Sequence, residues 1–128
     1  MPTGKVHLVI DEATNIVTLS FSAPGETDVE HDAMALETRA FYEGLVARKP
    51  DGRFRVMVDL TNAGVPTKHA TDIYIETLSD KRIERTSFFG LSSSIKSIIS
   101  FIVNAAGRGD HVRFFIDKDQ ALAWLKEI

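Results

Sequence analysis

Val112-Arg-Phe-Phe-Ile-Asp117, followed at once by Asp119-Gln-Ala-Leu-Ala-Trp-Leu125, closes the chain with an apolar run, an acidic residue and an amphipathic stretch. A short apolar run reads as a buried strand, and apolar residues three and four apart read as one face of a helix. Asp117 and Gln120 have the spacing of a helix N-cap. This closing unit is a strand, a capped turn and a helix in which Ala121, Leu122, Trp124 and Leu125 form the inner face.

The same unit recurs upstream. The run 87–91 reads as a strand leading into Ser92, Ser93 and Ser94, which are placed to cap a helix with core positions Ile95, Ile98, Ile99, Ile102 and Ala106. Gly107 and Gly109 are natural stops for it. Before that, the apolar run 54–60 leads to Pro66 and Thr67, a helix start. Ala70, Ile73, Tyr74 and Thr77 are the expected inner stripe, and His69, Asp72 and Glu76 fall opposite. Nearer the N-terminus, Val6, Leu8 and Ile10 alternate with Lys5, His7 and Val9, while Val17, Leu19 and Phe21 alternate with Thr18, Ser20 and Ser22. Alternation of this kind makes half-buried strands, and Asp11-Glu-Ala-Thr-Asn15 supplies a hairpin turn. Pro24-Gly25 ends the second strand, and Thr27 with Glu30 forms a capping box. The helix that follows is expected to bury Val29, Ala33, Leu36, Ala40, Phe41 and Leu45, and Pro50-Asp-Gly52 ends its region.

The predicted order is ββαβαβαβα over a single domain, 1–128. Strands joined through helices cross over right-handed and run parallel. The expected architecture is therefore an α/β fold with a mixed five-stranded sheet, an N-terminal antiparallel hairpin and four helices.

Composition narrows the function classes. The chain has 128 residues, 44% of them apolar, a net charge of −3 and no cysteine. A chain of this length buries a core without staples, and the absence of cysteine fits a reducing cytoplasm. Its start lacks the basic and apolar segments of a signal peptide, and no run has the roughly eighteen apolar residues of a spanning helix. Basic residues occur in pairs such as Arg48-Lys49 and Lys81-Arg82 rather than in a stripe, which argues against nucleic-acid binding.

The element order, with Val56-Met-Val-Asp-Leu60, Phe88-Phe-Gly-Leu-Ser92 and Phe114-Phe-Ile-Asp-Lys-Asp-Gln-Ala-Leu-Ala-Trp-Leu125, resembles the SpoIIAA-like (STAS) family of bacterial anti-sigma factor antagonists. The chain looks like a divergent branch that also shares features with Sec14-type lipid-binding domains. The resemblance spans nearly the whole chain. It implies a β-α superhelix and a non-catalytic regulatory module, without a cofactor, whose partner is another protein or a second copy. The Sec14-type features imply instead a small apolar ligand or a lipid. Sporulation-type antagonists carry an Asp-Ser-Ser-Gly-like stretch at the start of the second helix, where a kinase phosphorylates serine. Here that region reads Val65-Pro-Thr-Lys-His69, and Thr67 is the nearest hydroxyl.

Thr67 reads as an N-cap, with phosphate at a helix N-terminus the alternative. Ser92 and Ser93 have the same two readings. With Thr61 and Asn62 they fall at the carboxyl ends of the parallel strands, the edge where ligands gather in open α/β sheets. His69, Asp72 and Glu76 share a solvated helix face, and His7, His31 and His111 lack ligand spacing, so no metal site is expected. No Gly-x-Ser-x-Gly elbow or other nucleophile–base arrangement is legible, so no catalytic residue is assigned. Arg108-Gly-Asp110 reads as a polar turn. The third helix has the most unusual surface. Lys96 is its only charge between Leu91 and Ala106, and Phe101 points away from the isoleucine face beside Ser97 and Ala105. A face of small residues around an aromatic is expected to be covered.

Overall fold

The computed structural model describes residues 2–127. Its elements are β1 (Val6–Asp11), β2 (Ile16–Phe21), α1 (Asp28–Arg48), β3 (Phe54–Asp59), α2 (Lys68–Leu78), β4 (Ile83–Phe89), α3 (Ser93–Ala105), a 3-10 turn (Gly109–His111), β5 (Val112–Phe115) and α4 (Lys118–Lys126). The sheet order is β1-β2-β3-β4-β5. β1 and β2 pair antiparallel, and each later neighbour is parallel. This is the predicted SpoIIAA-like α/β architecture. In the hairpin turn Asn15 adopts φ 58°, a left-handed conformation that asparagine tolerates.

Every helix start rests on a side-chain cap read from the sequence. Thr27 accepts from the Glu30 amide, Thr67 from Ala70, Ser92 from Ile95 and Asp117 from Gln120. Only Ser92 of the three serines caps α3; Ser93 and Ser94 lie in its first turn, exposed.

The α1 face requires correction. Val29, Leu36, Ala40 and Phe41 are exposed, Val29 to 78%, while the buried residues are Met34, Ala35, Thr38, Tyr42 and Leu45. Of the expected stripe only Leu45 is fully buried, and Ala33 is partly so. The physical reason is that α1 carries apolar residues on both sides, so its periodicity has no unique phase. Thr38 can go inside because its hydroxyl donates to the Met34 carbonyl at 2.9 Å. Ala35 and Ala70 are small enough to bring α1 against α2.

Strand limits also change: β3 ends at Asp59 rather than at 60, and β4 ends at Phe89 rather than at 91. β4 starts at Ile83, four residues before the expected run, because Glu84 and Arg85 interrupt the apolar signal. Arg85 nevertheless belongs there: its guanidinium lies 5.0 Å from the Trp124 ring centroid and donates to the Trp124 carbonyl at 2.9 Å. β5 ends at Phe115, leaving Ile116 88% exposed.

The two faces of the sheet differ. Leu19, Val58 and Phe88 point toward the layer made by α1, α2 and α3 and meet Met34, Ile95 and Val103. Ile16, Met57 and Phe89 point the other way and meet Ala121, Trp124 and Leu125 of α4. Trp124 also lies 5.3 Å from the Arg113 guanidinium. The carbonyls at the end of α4 accept from Arg55 and Arg85, cations where the helix dipole favours them.

Candidate functional site

Parallel strands β2, β3 and β4 end on the same edge, so α1, α2 and α3 all begin there. Asp59 closes β3 with a local turn, its carboxylate accepting from the Thr61 amide at 2.9 Å and the Thr61 hydroxyl at 2.6 Å. Gly90 adopts φ +75°, and a Cβ there would lie 2.5 Å from the Thr61 hydroxyl oxygen. Only glycine lets the β4–α3 turn run that close to the β3–α2 loop. The sequence-predicted edge residues are thus assembled in part by direct approach: Thr61 lies against the turn that leads to Ser92 and Ser93. Thr61, Asn62, Ser92 and Ser93 are exposed, and Thr67 is partly buried. Val65 is 56% exposed in the same loop.

The Thr67 hydroxyl is fully committed. It accepts from the Ala70 amide at 3.0 Å and donates to the Asp32 carboxylate of α1. Asp32 had no role in the sequence reading, and spacing offered no signal for it, because the pair is 35 positions apart. One residue earlier, His31 is wedged between glycines: a Cβ on Gly25 would lie 2.9 Å, and one on Gly64 3.0 Å, from its imidazole.

The outer face of α3 matches the reading from sequence. Phe101 is 61% exposed, and Ser97, Asn104 and Ala105 are exposed beside it. Ile95 and Ile102 are buried and Ile98 and Ile99 partly so; Val103 joins them inside.

Inside the three-helix face lies a partly open apolar cavity of about 130 Å3. Val56 and Val58 of the sheet, Met34 of α1, Tyr74 of α2 and Ile95, Ile98 and Ile99 of α3 form its walls. His31, Ala63, Gly64 and Pro66, all partly exposed, line it on the strand-end side. The cavity is far smaller than the several hundred Å3 of a drug-sized site, so a whole lipid does not fit inside.

At the opposite end, Asp80 receives a forked pair of bonds from Arg82, at 3.1 and 2.7 Å. The Arg82 hydrogen bonds hold the Asp80 carboxyl down at about 2. Burial raises the nearby Tyr42 hydroxyl far above its ordinary range, and the Asp80 charge adds to it. Burial likewise pushes Tyr74 up to about 12.

Among the described residues no group of His, Asp or Glu is placed to hold a metal ion. His69, Asp72 and Glu76 are exposed, with Asp72 paired to Lys68 at 3.1 Å. Arg108 is buried with its guanidinium donating to the Ile83 carbonyl, so Arg108-Gly-Asp110 does not present its arginine. Among the described residues no helix is long and apolar enough to cross a membrane.

The topology is that of the SpoIIAA-like α/β fold. Solved structures agree. A DUF3478-family protein with a SpoIIAA-like fold from Shewanella loihica PV-4 superposes with a TM-score of 0.65 at 16% identity, covering 94% of this chain and 91% of that one. A Ser→Glu variant of RsbS from Moorella thermoacetica superposes with a TM-score of 0.58 at 13% identity, covering 94% of each chain. No protein-family model matches the chain, and no curated protein does.

Proposed function

We propose that the protein is a non-catalytic regulatory module that docks a protein partner, acting in the cytoplasm and without a phosphorylation switch at α2. The observation that carries this reading is the outer face of α3, where Phe101 stands exposed among small residues with Lys96 the helix's only charge. The docking surface combines Ser97, Phe101 and Ala105 with the adjoining strand-end loops, Thr61, Asn62, Ser92 and Ser93, and with exposed Val65. Aromatic residues, Phe among them, are enriched in interface cores, with polar groups at the rim. The SpoIIAA-like fold and the similarity to RsbS support a regulatory role.

The Thr67 hydroxyl, partly buried and already bonded to Asp32 and to the Ala70 amide, supports the absence of a switch. A phosphoryl group on that hydroxyl would replace the hydrogen bond to Asp32 with repulsion between two negative groups.

Native mass spectrometry of the protein isolated from its own host tests the reading. The wild type is expected to carry a bound protein that Phe101→Asp loses, while the variant keeps its melting temperature, since an exposed substitution changes stability by about 0.5 kcal/mol or less. Partner recovery unchanged by Phe101→Asp would overturn it.

A further inference from the structure

We infer that the cavity under α1, α2 and α3 is a binding site for one small uncharged apolar molecule, the size of a single aromatic ring or a short branched chain. The inference is independent of the docking reading and rests on three properties of the cavity. Its volume, about 130 Å3, is close to the roughly 150 Å3 of an engineered apolar cavity that stays dry and takes benzene. Its lining contains no Asp, Glu, Lys or Arg, so an ion entering it would lose its hydration without a charged partner.

The polar groups in the lining are few. A buried water needs two to four polar partners. The Thr38 and Thr77 hydroxyls are already turned back to the Met34 and Ile73 carbonyls, both at 2.9 Å. That leaves the His31 imidazole and the Tyr42, Tyr74 and Thr86 hydroxyls around an otherwise apolar space.

The third property is access. The cavity is partly open, and the partly exposed His31, Ala63, Gly64 and Pro66 border it where the β3–α2 loop passes α1. A molecule bound there touches the loop that carries Thr61, Asn62 and Thr67. Occupancy would thus be felt at the strand-end edge.

Benzene is the probe, with benzoate as the charged control of the same ring size. In amide NMR spectra of the full chain, benzene should produce saturable shifts at Val56, Val58, Ala63 and Ile99 and raise the melting temperature. Benzoate should produce neither. Val56→Phe fills the space from the sheet side and should abolish the benzene shifts. Should that variant fail to fold, the comparison of benzene with benzoate on the wild type decides alone. Non-saturable benzene shifts, equal shifts with benzoate, or shifts confined to exposed Phe101 would each overturn the site.

Discussion

Beneath α4, Trp124 and Leu125 pack directly on Met57 and Phe89, whereas beneath α1, α2 and α3 the other face of the same sheet leaves about 130 Å3 unfilled. One helix of nine residues covers its face closely; three helices totalling forty-five cover theirs loosely. The difference lies in how each helix is held. α4 is pinned at its last turn by a buried Trp lying against two guanidinium groups and by arginines on its terminal carbonyls. The three-helix layer is held by Thr67 on Asp32, by small residues between α1 and α2, and by side chains such as Met34, Leu45 and Ile95 that reach the sheet around the cavity without filling it. The lesson is that area covered is not closeness of packing, because packing depends on which side chains meet.

The largest effect should come from removing the anchor of the close-packed face. Trp124→Ala leaves a cavity under α4 and removes the surface on which Arg85 and Arg113 lie, so chemical denaturation should show a loss of about 3–5 kcal/mol. A loss under 1 kcal/mol would mean that α4 is not fixed as described.

Enlarging a side chain on each face sharpens the contrast. Ala121→Leu inserts bulk where nothing is free and should cost about 1–3 kcal/mol. Val56→Leu inserts bulk into the cavity and should be neutral or stabilising by up to about 1 kcal/mol. Equal costs in urea titrations would erase the distinction between the faces.

The smallest effect concerns Asp80, at the far end of the three-helix layer. Its pKa is about 2 in the folded chain against an ordinary 3.8. A depressed carboxylate contributes stability that is fully present above its unfolded pKa and lost as pH falls through the folded one. Asp80→Asn should therefore cost roughly 0.5–1 kcal/mol near neutral pH, the range of a partly exposed pair. The difference from wild type should shrink between pH 4 and pH 2, and a difference constant down to pH 2 would contradict the pairing with Arg82.

The fold was legible because its signals are local. Caps at Thr27, Thr67, Ser92 and Asp117, the Asp11–Asn15 turn and the alternation in β1 and β2 each act within a few residues, and all point to one order of elements. The start of β4 is not legible locally, because Glu84 and Arg85 look like a loop until Trp124, some forty positions later, supplies a partner for Arg85. Thr61, Ser92 and Ser93 lie just beyond the ends of β3 and β4, a position that strand direction alone dictates. Asp32 and His31 were missed because what they touch lies on other loops.

The sequence by itself determined the order of strands and helices, their caps and the outward position of Phe101, since these depend on neighbours three or four residues away. Only the tertiary structure decided which side of α1 faces the sheet, that Thr67 is tied to Asp32, and that the three-helix layer stands off far enough to leave a cavity. α1 has two apolar sides, and no local rule chooses between them. The choice is made by the shape of the sheet surface and the close approach of Ala35 to α2, contacts between residues far apart in the chain.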